Sequence, residues 1–116
     1  GDPHRNLVDF GHVPVVKRLT RLPVCVDPSH SVGSRDGTPD GLLDVMHVTA
    51  QGVNAGANMV LVDFHPDPDK ALVDGPQALR LEELPYFLED VRIAREAYEK
   101  RAALARRFNE TLAEAS

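Results

Sequence analysis

The sequence predicts an α/β fold with parallel strands, and three observations carry that expectation. Two short apolar runs, Leu22–Val26 and Met59–Val62, lack the polar alternation of a half-exposed strand, as strands of a covered parallel sheet do. Each run ends in a polar loop, Asp27-Pro28-Ser29-His30 after the first and Asp63-Phe64-His65-Pro66 after the second. Helical periodicity fills the chain between the runs and again after the second. Strand, loop and helix in repetition make up a (β/α) barrel or an open α/β sheet.

Taken in order, Gly1–Asn6 is polar and turn-like, and Leu7–Phe10 suits a short strand. Gly11–Leu19 reads as a short helix, with Pro14 at an early position where its missing N–H costs nothing. The Leu22–Asp27 strand follows, its Cys25 read as core. From Ser31 to Gly41 the chain is polar and holds three glycines, which makes it a loop, and long loops in compact domains tend to be functional. Leu42, Val45, Met46, Thr49 and Val53 recur at helical steps, so a helix over Leu42–Ala55 is expected, with Asp40 as its N-cap and Gly56 at its end. Strand, crossover helix and strand then form a βαβ unit. Asp63–Pro76 reads as a second loop. Residues 81–115 are strongly helical, with Pro85 in the first turn; at ~1.5 Å per residue the helix would run about 45–50 Å, more than one strand needs as cover. Its last turns, with Phe108 and Leu112, are either a solvated tail or a contact.

The 116 residues suit one domain, 1–116, with 81–115 its long C-terminal helix. A net charge of −5 argues against nucleic acid or an acidic membrane as the partner of the whole chain. No apolar run approaches the ~20 residues of a membrane span. A single cysteine excludes an internal disulfide and, with a polar start lacking a signal core, points to the cytoplasm. The sequence opens on Gly1 without an initiator methionine, as a processed product or a piece of a longer protein would.

The chemistry lies at the strand ends. His30, Asp63, His65 and Asp74 fall at or just past the C-terminal ends of neighbouring parallel strands, where side chains converge. Imidazole and carboxylate suit Mn²⁺, Fe²⁺, Co²⁺ or Zn²⁺, and an open site of that kind polarises a carbonyl. The bland alternative is a capped loop histidine among turn-forming aspartates. Arg35 is the best candidate for a phosphate or carboxylate contact, against the alternative of a solvated loop arginine. Cys25, about 16 Å from His30 along an extended segment, is no ligand. His4, His12 and His47 have no partner at a recognisable spacing and read as surface or local hydrogen-bonding residues.

Leu-Pro-Val-Cys-Val-Asp-Pro-Ser-His-Ser at 22–31, Gly33 with Arg35-Asp36, His-Pro-Asp-Pro at 65–68 and Lys-Ala-Leu-Val-Asp-Gly-Pro-Gln at 70–77 closely resemble the C-terminal part of type I DAHP synthase. The likeness is to the short branch that shares ancestry with KDO-8-phosphate synthase, and it covers roughly residues 5–91. The resemblance implies the last three βα units of a TIM barrel, a partial barrel. It implies condensation of phosphoenolpyruvate with an aldose phosphate, erythrose 4-phosphate, at the entry to aromatic amino acid biosynthesis. It also implies a divalent metal that activates the aldehyde. The family's metal histidine falls on His30 and its late aspartate on Asp74; its glutamate falls on Asp63, which keeps the charge but is shorter by one methylene. Substrate contacts are expected from Arg35, Ser29, Asp27 and His65. Of the family's two adjacent loop arginines one is Ser34 here, and the connection from Arg35 to Gly56 is several residues longer than usual.

The family's cysteine ligand, catalytic lysine and main phosphate-gripping residues belong to earlier strands. No complete catalytic set is therefore expected in this chain, and it should be inactive without the upstream half. The expected partner is that missing barrel half, or further copies in a homo-oligomer. Two other readings stand beside this one: a non-catalytic half-barrel used for assembly through its long helix, and a related synthase with another aldehyde acceptor.

Overall fold

The computed structural model describes residues 8–71 and 75–116. Helix α1 (His12–Thr20) leads to strand β1 (Cys25–Val26), the short helix α2 (Pro28–Val32) and helix α3 (Asp44–Asn54). Strands β2 (Met59–Val60) and β3 (Phe64–His65) follow, then β4 (Leu79–Arg80) and the long helix α4 (Leu84–Ala115). Single 3₁₀ turns occupy Pro68–Lys70, Gly75–Gln77 and Leu81–Glu83.

Both strand pairs are parallel. Cys25 pairs with Met59 and Val26 with Val60. Further along the same segment, Phe64 pairs with Leu79 and His65 with Arg80. The 59–65 segment thus changes partner along its length, from β1 at the apolar run to β4 just beyond it. The expected βαβ unit is present, with α3 as the crossover.

Among the described residues the strands are covered on one face only. Val60, Val62 and Phe64 pack with Val32, Val45, Met46, Leu79 and Phe87, and the Phe64 and Phe87 rings meet edge to face at 5.7 Å. Side chains alternate along a strand, so Cys25, Met59 and Leu61 point the other way. Met59 is 64% exposed and Leu61 55%, and Cys25 is exposed as well. The expectation of a core cysteine on a doubly covered strand is therefore corrected. A run of apolar residues reports that both faces are meant for burial; it does not say that this chain supplies both covers.

Other boundaries shift for local reasons. Residues 8–10 form no strand, and residue 7 lies outside the described residues. Pro28 starts α2 at once, with Asp27 as its cap, so the extended segment stops before His30 and Ser31 and Val32 are helical rather than loop. The α2 helix ends at Gly33, whose φ of 72° is the left-handed conformation that glycine tolerates best. The 33–43 connection folds back on itself through a bridge between Gly37 and Leu43. Asp40 caps the N–H of Leu42 (3.0 Å) rather than that of the helix, which starts at Asp44. The hydroxyl of Thr38 sits 3.0 Å from His47 Nε2, with Asp40 3.4 Å from the same nitrogen, so His47 does find local partners. The Thr38 hydroxyl and the Leu42 N–H hold the Asp40 carboxyl below the usual carboxylate range. The expected 63–76 loop contains β3 and parts of two 3₁₀ turns.

Helix α3 lies close on β1 because Gly52 has no side chain: a Cβ there would meet Val26 Cγ2 at 3.0 Å. Helix α4 packs along α3 and is tied to it by Arg101, which donates to both the carbonyl and the side-chain oxygen of Asn54 at 2.6 Å. Among the described residues no helix is long and apolar enough to cross a membrane.

Two substitutions test this packing. Leu79→Ala, at a fully buried position, should lower the unfolding free energy by roughly 2–5 kcal/mol. Gly52→Leu should cost about 1–3 kcal/mol by pushing α3 off Val26. Urea unfolding reads both, and a Gly52→Leu variant as stable as the parent would contradict the close approach.

Candidate functional site

The site is built around Asp63, at the junction between the two strand pairs. Its backbone N–H donates to the Ser29 hydroxyl at 3.0 Å, and its carbonyl accepts from the Leu79 N–H at 2.8 Å. Its carboxylate Oδ2 accepts from the Gln77 side-chain amide at 2.8 Å. Ser29 and Gln77 are both buried, so the carboxylate is held by groups that cannot move without disturbing the core.

His30 reaches the same place from α2. Its ring Nδ1 lies 2.6 Å from Asp27 Oδ2 and 4.0 Å from Asp63 Oδ2. Asp27 also accepts the His30 backbone N–H at 3.1 Å, which is its work as the cap of α2. One aspartate therefore starts the helix and orients the imidazole. The imidazole is thus held close to two carboxylates, with Asp27 the nearer. His30 and Asp27 are about one-third exposed, so this corner faces solvent on one side and the core on the other.

The predicted site residues separate into groups. His30, Asp63 and Asp27 come together. Ser29 is adjacent but fully buried beneath them, where it holds Asp63 and has no surface to offer a substrate. His65 turns to its own loop, and its Nδ1 accepts the Asp67 N–H at 2.9 Å. Arg35 is engaged within the chain. One guanidinium nitrogen donates to the Ala78 carbonyl at 2.8 Å, and another pairs with Glu83 at 2.9 Å. Glu83 in turn accepts the Arg80 N–H at 2.7 Å. Arg35 thus clamps the connection after α2 to the segment entering α4, just past Gln77. Asp74 lies outside the described residues.

Gln77 is the site residue that sequence reasoning did not single out. Its place in the Asp-Gly-Pro-Gln stretch was the available signal, but an amide has no charge or titration to mark it. Among the described residues, no group of three or more His, Cys, Asp or Glu side chains could hold a metal ion. Among the described residues the corner presents two neighbouring donors, His30 and Asp63.

Known proteins resemble this chain over most of its length. A phospho-2-dehydro-3-deoxyheptonate aldolase of Thermotoga maritima is 35% identical over 88 residues, 76% of this chain and 24% of the relative. A 2-dehydro-3-deoxyphosphooctonate aldolase of Legionella pneumophila is 36% identical over 101 residues, 84% of this chain and 37% of the relative. The chain therefore spans roughly a quarter to two-fifths of the length of these relatives. Among solved structures, a truncated form of 3-deoxy-D-arabino-heptulosonate 7-phosphate synthase from Thermotoga maritima superposes with a TM-score of 0.72 at 33% identity. That match covers 84% of this chain and 34% of the other. The DAHP synthetase I family matches residues 1–99. By the extent of that match, the chain belongs to the DAHP synthetase I family.

Proposed function

We propose that this chain is the C-terminal part of an enzyme that joins phosphoenolpyruvate to a sugar phosphate in an aldol-type condensation, with erythrose 4-phosphate as the acceptor. The observation that carries this reading is the convergence of His30 and Asp63 at one strand-end corner, with Asp27, Ser29 and Gln77 holding them. Family membership supplies the reaction class. The fold of the complete protein would be a TIM barrel, of which this chain forms the last βα units.

In this reading His30 and Asp63, with Asp74, contribute part of a site for a divalent cation such as Mn²⁺, Co²⁺, Fe²⁺ or Zn²⁺, which would polarise the aldehyde carbonyl when bound. The described pair does not complete that site alone, and the remaining donors come from Asp74 and the upstream strands. The roles of the chain's own residues follow from contacts. Asp27 fixes the imidazole from the cap of α2. Gln77 holds the Asp63 carboxylate by Oδ2, the oxygen that lies 4.0 Å from His30 Nδ1. Arg35 positions the 75–78 segment that bears Gln77, and a direct substrate contact would require it to leave Glu83.

A second reading, a non-catalytic assembly module, is favoured by the exposed strand face of Cys25, Met59 and Leu61. An open face on a parallel sheet is a surface for another chain. The two readings differ in whether the His30–Asp63 corner binds cations.

Calorimetric titration of the purified chain with Mn²⁺ decides between them. The enzyme reading expects binding that His30→Ala abolishes and that Gln77→Ala weakens about 10–100-fold through loss of Asp63 orientation. No binding by the parent chain would leave the assembly module as the better account. A further expectation concerns activity: the chain alone should show no condensation of phosphoenolpyruvate with erythrose 4-phosphate, and adding the separately produced upstream half should restore it. Phosphate release in the mixed sample, absent from either half, is the measurement.

A further inference from the structure

Helix α4 outruns the body it packs on. Phe87, Ala94 and Tyr98 face the body, and Arg101 makes the tie to Asn54. From Leu104 to the end of the chain every residue is exposed. The apolar pattern nevertheless continues. Leu104, Phe108 and Leu112 fall four residues apart, which sets them on one face, and they are 60%, 60% and 53% exposed. The stripe prolongs the packing face past the edge of the body. It borders a cleft of about 680 Å³ whose lining includes Phe10, Pro14, Tyr98, Ala102 and Ala105. A solvated helix end has no use for such a stripe.

Charge is divided along the same segment. Arg106 and Arg107 lie in its first half, Glu110 and Glu114 in its second. The family match ends at residue 99, so the shared fold does not account for these turns.

We propose that this overhang is a dimer contact, occupied by the same segment of a second copy running antiparallel. Phe108 lies near the two-fold axis, and Leu104 of each copy meets Leu112 of the other. An isologous contact of this kind is self-complementary. Antiparallel pairing sets the basic half of one overhang beside the acidic half of the other, whereas parallel pairing would set like charge beside like. The paired length, residues 104–115, is about 18 Å of helix. That places the contact at the small end of protein interfaces, below about 1,200 Å², so the dimer forms and dissociates with concentration.

Sedimentation equilibrium of the 116-residue chain tests this. The parent should pass from monomer to dimer between micromolar and millimolar concentration. Phe108→Glu should raise the dissociation constant at least about tenfold with the helical circular dichroism unchanged, since the side chain is 60% exposed. A chain carrying Glu110→Lys and Glu114→Lys, and another carrying Arg106→Glu and Arg107→Glu, should each self-associate more weakly. Mixing the two should restore dimers. A parent that stays monomeric to about 1 mM overturns the proposal. So does association that Phe108→Glu leaves unchanged, which would place the contact elsewhere, for instance on the open strand face. Failure of the mixed chains to recover overturns the antiparallel arrangement.

Discussion

Asp63 is held by three hydrogen bonds at once, and each leads to a different part of the chain. Its N–H goes to Ser29 in α2, its carbonyl to Leu79 in β4 and its carboxylate to Gln77 in the turn between. These segments are separated by 34, 16 and 14 positions in sequence. A buried hydroxyl, a strand amide and a buried side-chain amide each need a partner where no water reaches, and one residue satisfies all three. Docking α2, pairing β4 with β3 and shaping the candidate site are thus one structural event. Loss of the carboxylate alone would remove its bond to the Gln77 amide, and loss of the backbone geometry would unseat Ser29.

Around that residue the chain separates the groups that face chemistry from those that support them. His30 and the Asp63 carboxylate look outward. Asp27 and Gln77 hold them, and Arg35 holds the segment that holds Gln77. The exposed ion pairs along α4, among them Arg92 with Glu89 and Glu96 and Arg95 with Glu99, add little by comparison, since water and salt screen them.

Much of this was legible from the residues. The two apolar runs, the helices and the strand-end position of His30 and Asp63 follow from periodicity and from proline and glycine placement. What was not legible has physical causes. Strand β4 is two residues long and carries no periodicity of its own; it exists because Leu79 fills the core and its N–H meets Asp63. Gln77 reads as an ordinary polar residue until the fold brings it to a carboxylate. Ser29 sits in the right motif, but whether its hydroxyl faces substrate or backbone depends on a helix that begins one residue earlier. Arg35 suits an anion by charge, and only the tertiary structure shows Glu83 beside it. Cys25 was misplaced because burial of a strand face is a property of the assembly, and a sequence describes one chain.

That last point makes the cysteine useful. Cys25 stands on the uncovered strand face beside Met59, so its thiol is open to solvent only while nothing lies over the sheet. Any chain that covers the face also shields the sulfur from alkylating reagents and oxidants. A partner laid over that face would slow the reaction of the thiol, so its rate of alkylation is a chemical gauge of whether the sheet is covered.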